Sequence, residues 1–134
     1  MSRRKAREYA FMFLYQSEMR NTAADEHLTF FLENYPLEKE DIPYFELLCR
    51  GVLSQKDNLD AIYEPYLKGW KIQRLPKVDV IILRIATFEI TQAGDVPKSV
   101  SINEAVIIAK KFSTEDSKAY INGVLGKIPE GQKP

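Results

Sequence analysis

The sequence has one cysteine, Cys49, and one histidine, His27. A single thiol excludes an internal disulfide, and the pair leaves any Cys/His metal cluster short of ligands. Cys49 lies in the apolar run Phe45-Glu46-Leu47-Leu48-Cys49-Arg50, so a buried structural thiol is expected rather than a nucleophile. His27 stands among Asp25, Glu26 and Thr29 and reads as a surface residue near a helix start. A glycine-rich phosphate loop, a nucleophile elbow and a Ser/His/Asp set are all missing. Glu115 and Asp116 are adjacent in a polar loop, where helix capping explains them better than acid–base work. These absences argue against an enzyme and against a bound cofactor or metal. No apolar run approaches the roughly 18 residues of a membrane span, and the basic start leads into an amphipathic segment instead of a signal-peptide core. A cytoplasmic chain is expected.

What is present is the composition of one globular domain: 134 residues, 45% hydrophobic and 28% charged. The formal charge is zero but unevenly spread. Residues 1–21 hold five basic and two acidic side chains, residues 22–67 three and ten, and residues 68–134 eleven and seven. An anion-binding face and a separate acidic face fit that layout, and so do ordinary solvated faces of unequal sign.

The apolar period is helical throughout. Ala6, Ala10, Phe13, Leu14 and Ser17 share one side of a helix from about Arg3 to Arg20. A turn at 21–25 precedes a short helix, capped by Asp25, that carries Leu28, Phe31 and Leu32 and stops at Asn34-Tyr35-Pro36. Pro43 opens a third helix with Phe45, Leu48, Val52 and Leu53 on one face, and Leu59, Ile62, Tyr63 and Tyr66 continue as a fourth. The pattern lapses from Lys68 to Leu75 and restarts at Pro76. Val78 to Ile90 is apolar around its whole circumference, which marks a central buried helix. Ser101-Ile102-Asn103-Glu104 has the spacing of a capping box before a helix through Val106, Ile107 and Phe112. Tyr120, Ile121, Val124 and Leu125 form the last. The expected fold is therefore all-α: one domain of about seven helices, with halves at about 1–68 and 76–128, a connector at 69–75 and a polar tail at 129–134.

Arg3, Arg4, Lys5 and Arg7 put four cations at a helix N-terminus, where the helix dipole disfavours them, so an anionic ligand is a natural explanation. At 100° per residue Arg4, Arg7, Phe11 and Tyr15 fall in one stripe, suited to phosphates at one end and a stacked base at the other. The alternative is that the two rings pack against other helices while the arginines are only solvated. Lys110, Lys111 and Lys118, the last near Tyr120, form a second basic set.

Three stretches resemble the NusB family of bacterial transcription antitermination factors: Ser2 to Glu8 with Leu14-Tyr15; Val78 to Ile90 with Leu83-Arg84-Ile85-Ala86; and Val100 to Gly126. The last holds Ile102-Asn103-Glu104-Ala105, Ala109-Lys110-Lys111-Phe112 and Tyr120-Ile121-Asn122-Gly123-Val124-Leu125. The similarity runs from about Ser2 to Ile128. It implies two helical subdomains and no catalysis. It also implies binding of the boxA element of ribosomal RNA leaders together with the ribosomal protein NusE, on the elongating RNA polymerase. Carried over residue by residue, it implies RNA contact by Arg3, Arg4, Lys5, Arg7 and Tyr15, with Tyr66, Lys118 and Tyr120 as further candidates, and NusE contact by Asp79. Phe11 takes no role from the family. Tyr120 stands where phenylalanine is commoner, and Lys5 where arginine often is, which exchanges a bidentate phosphate contact for a point charge. Two other readings remain: the NusB-like domain of an rRNA cytosine methyltransferase, if the chain is a fragment, and a helical scaffold that binds only proteins.

Overall fold

The computed structural model describes residues 3–20 and 26–130; the expected turn at 21–25 with its Asp25 cap, and the tail residues 131–134, lie outside them. Among the described residues there are seven α-helices and no strand. The chain packs as two compact units, Met1–Ser54 and Gln55–Pro134.

The first unit comprises α1 (Arg3–Arg20), α2 (Glu26–Asn34), a 3₁₀ turn at Lys39–Asp41 and α3 (Ile42–Ser54). The face of α1 that the 3.6-residue period predicts is the one buried: Ala6, Ala10, Phe13, Leu14 and Ser17. The alanines let α1 approach α3 closely, and the larger space beyond them is filled by rings. Phe31 of α2 stacks on Phe45 of α3 at 5.7 Å and on Tyr35 at 4.7 Å, and Phe13 of α1 meets Phe31 edge-on at 5.6 Å. Such pairs contribute about 0.5–1.5 kcal/mol each beyond the area they bury. Cys49 is fully buried in this unit and His27 is exposed, as their sequence surroundings predict.

The second unit holds α4 (Lys56–Tyr63), 3₁₀ turns at Glu64–Tyr66 and Ile72–Arg74, α5 (Lys77–Gln92), α6 (Lys98–Phe112) and α7 (Glu115–Gly126). Every residue of α5 from Asp79 to Ile90 is buried, and α4, α6 and α7 all pack against this helix. Two expectations change here. The connector at 69–75 is not the boundary between units, because α4 belongs with α5: the buried Arg84 of α5 holds Asp60 of α4, and the Gln55 and Gln92 side-chain amides hydrogen-bond to each other at 2.7 and 3.0 Å. The apolar period of α4 shows that it has a buried face but not which helix covers it. Nor do Ser101 and Glu104 form a capping box. Pro97, with φ −62°, precedes a helix that already begins at Lys98, so Ser101 is inside α6, where its amide donates to the Pro97 carbonyl and its buried hydroxyl has no partner. A side-chain cap is found at α7, where Thr114 Oγ1 accepts from the Ser117 amide and Glu115 and Asp116 occupy the first turn.

Candidate nucleic-acid interface

On the first unit the cationic cluster divides into an outer and an inner part. Arg4 and Lys5 are exposed, Arg3 is half-buried, and Arg7 is only 5% exposed. Tyr44 of α3 packs against the inner part. The Arg3 guanidinium carbon lies 4.2 Å from the centre of its ring and that of Arg7 5.6 Å, so two cations of α1 pack against one aromatic ring. Lys5 lies over Tyr9 at 5.6 Å. The stripe along α1 divides in the same way: Phe11 is core, 3% exposed, while Tyr15 is half-buried and lies nearly parallel to it, centroids 6.0 Å apart. Helical spacing puts Arg4, Arg7, Phe11 and Tyr15 on one stripe, but only tertiary packing decides that Arg7 and Phe11 are buried while Arg4 is exposed.

On the second unit, Tyr66, Lys68, Tyr120, Gly123 and Lys127 line a cleft of about 200 Å³. Tyr120 donates from its hydroxyl to the Leu67 carbonyl at 3.3 Å, which ties α7 to the turn after α4. Burial, and then the charge of Asp79, raise its phenol pKa, so it remains a neutral, half-buried ring. Gly123 adds no side chain to the cleft wall, and a Cβ there would touch nothing. Trp70 is 56% exposed and stands edge-on to Tyr120 at 6.4 Å. Lys118 faces another side of α7: it lines a groove of about 700 Å³ with Lys110, Ile102 and Val106 and pairs with Glu115 at 3.1 Å. The structure thus brings Tyr66 and Tyr120 together and leaves Lys118 outside their cleft. It adds Lys68, Trp70 and Lys127, which sequence reasoning passed over. The available signal was the only tryptophan of the chain, set in Lys68-Gly69-Trp70-Lys71, a polar segment with no core to fill.

Asp79 is not on a surface. It is 2% exposed, and its two carboxylate oxygens accept from the Ser113 and Ser117 hydroxyls at 2.7 and 2.8 Å. The expectation that it offers a charge to a protein partner is corrected by that geometry: an acid that is already buried and hydrogen-bonded braces the α6–α7 junction. Its position in the first turn of a helix favours the negative charge in any case.

Among the described residues no group of three or more His, Cys, Asp or Glu side chains could hold a metal ion, and no helix is long and apolar enough to cross a membrane. The class defined by this arrangement is an all-helical protein with basic and aromatic surface residues on each of its two units. The NusB family model matches residues 4–130, and the chain belongs to that family, whose named relatives are antitermination proteins and not enzymes. The transcription antitermination protein NusB of Ruminiclostridium cellulolyticum is 45% identical over the whole of this chain and 92% of its own length. A solved structure of T. maritima NusB superposes with a TM-score of 0.83 at 34% identity, covering 95% of this chain and 89% of that one. A crystal structure of the antitermination factors NusB and NusE in complex with double-stranded RNA superposes with the same TM-score at 26% identity, covering 92% of each chain.

Proposed function

We propose that this protein is a cytoplasmic antitermination factor that binds boxA-type RNA of ribosomal RNA leaders together with NusE and brings both to the elongating RNA polymerase. The observation that carries this reading is the match, over nearly the whole chain, to a NusB solved with NusE and RNA, supported by a surface with the required chemistry. Arg4 and Lys5 supply exposed cations for phosphates, with the half-buried Arg3 beside them, and Tyr15 offers a half-buried ring on the same helix. Tyr66 and Tyr120 supply rings on which unpaired bases stack, and Lys118 a cation on the neighbouring face. Arg7 and Asp79 belong to the support of these surfaces.

Purified protein titrated with boxA and scrambled RNA, with and without NusE, tests the reading. The expected result is preference for boxA and mutual tightening, with the coupling factor equal whether RNA or NusE is varied. Binding of NusE without any RNA affinity would instead make the chain a protein-only scaffold.

A further inference from the structure

The cleft lined by Tyr66 and Tyr120 is also lined by two lysines that are far apart in the second unit's sequence. Lys68 precedes Gly69 in the turn after α4, and Lys127 follows the last residue of α7. The two side chains line the same small cleft, where the positive charge of Lys68 acts on the Lys127 amine. Two ammonium groups so close repel, and any oxyanion placed between them would be attracted by both. The backbone is unusual at the same place. Lys68 has φ +48° and Gly69 φ +89°, and the left-handed region is sparsely occupied by residues with a side chain. Trp70 follows two residues after Lys68, more than half exposed and edge-on to Tyr120.

We infer that Lys68 and Lys127 close on one backbone phosphate of bound RNA at the mouth of the Tyr66/Tyr120 cleft, while Trp70 stacks on the adjoining base. The inference rests on the RNA-binding reading above and adds to it three residues, Lys68, Trp70 and Lys127, with a role for each. The lysine pair also has a signature in the free protein: Lys68 beside it lowers the Lys127 pKa below the ordinary lysine value, and an anion bound beside Lys127 shifts it back upward.

The full chain, with a tryptophan-free NusE present, is titrated with end-labelled boxA RNA and followed by anisotropy of the label and by tryptophan fluorescence, which then reports Trp70, the one tryptophan of this chain. Stacking should quench that fluorescence in step with the anisotropy, and Trp70→Ala should weaken binding roughly 5- to 150-fold. Lys68→Gln with Lys127→Gln should make the slope of log affinity against log salt shallower by about 0.7, the value for one phosphate contact on a single strand. Lys68→Arg with Lys127→Arg should restore it. RNA that binds by anisotropy while Trp70 fluorescence stays constant overturns the stack, and an unchanged salt slope in the glutamine pair overturns the clamp; in both cases the broader RNA reading stands. Wild-type protein that binds no boxA RNA even with NusE overturns that reading and this inference with it.

Discussion

Arg84 holds Asp60 through two parallel hydrogen bonds, Nε to Oδ1 and Nη2 to Oδ2, each 2.9 Å, while the Tyr63 hydroxyl donates to the same Oδ1 at 2.8 Å. The arginine side chain is 8% exposed and the aspartate 16%. A bidentate pair at this depth is costly to break on one side, because the surviving charge stays where water barely reaches. Asp60→Ala should therefore lower stability by about 2–4 kcal/mol in urea unfolding. The double variant Asp60→Leu with Arg84→Met should recover much of that loss. A change under about 0.5 kcal/mol for Asp60→Ala, the size of an ordinary surface substitution, would mean that the pair does not fasten α4 to α5.

Asp79 should behave as a structural acid. Asp79→Lys places an ammonium where two hydroxyls converge in a buried site, and a melting temperature several degrees below wild type is expected by circular dichroism. Asp79→Asn keeps the shape and one carbonyl acceptor and should cost far less. If Asp79→Lys melts like wild type yet fails to bind NusE, the aspartate acts at the partner surface after all.

Along α1, binding and stability should separate by burial. Arg4→Ala with Lys5→Ala should leave the melting temperature unchanged while making the salt dependence of RNA affinity shallower by about 1.4, two contacts at about 0.7 each. Phe11→Ala should cost about 3–5 kcal/mol of stability, and Arg7→Ala should also destabilise, through the lost contact with Tyr44. Tyr15→Ala should weaken RNA binding by about 1–3 kcal/mol, with Tyr15→Phe mild. A steep loss of RNA affinity in a fully stable Arg7→Ala protein would contradict this division.

Burial, and then the nearby Glu46, push the Cys49 thiol pKa well above its ordinary value. The unfolded chain then ionises first as the solution becomes alkaline. The contribution of Cys49 to stability is whole below about pH 8.5 and declines above it, by at most about 1.4 kcal/mol per pH unit. Tyr63, raised by burial and by its bond to Asp60, adds a second decline above about pH 10. Unfolding free energies across this range should fall more gently in Cys49→Ala. Native protein should react with a thiol reagent only at the rate at which it opens, and rapid labelling at pH 8 would contradict the burial.

Local information determined much of this protein. Spacing of apolar residues was enough for the extent of α1, because Ala6, Ala10, Phe13, Leu14 and Ser17 recur at the helical period whatever covers them. The all-round apolar character of 78–90 likewise marked α5 as the central helix of its unit, since no solvent-facing side is compatible with it. The surroundings of Cys49 and His27 were sufficient to place one inside and the other outside. What periodicity cannot carry is the identity of the covering element. Tyr44 takes Arg7 out of solvent, Ser113 and Ser117 enclose Asp79, and Arg84 assigns α4 to the second unit. Lys68 and Lys127 become neighbours only when α7 packs beside the turn after α4. Each of these is a contact between residues far apart in the chain, formed by side chains whose helical face was legible but whose partner was decided by tertiary packing.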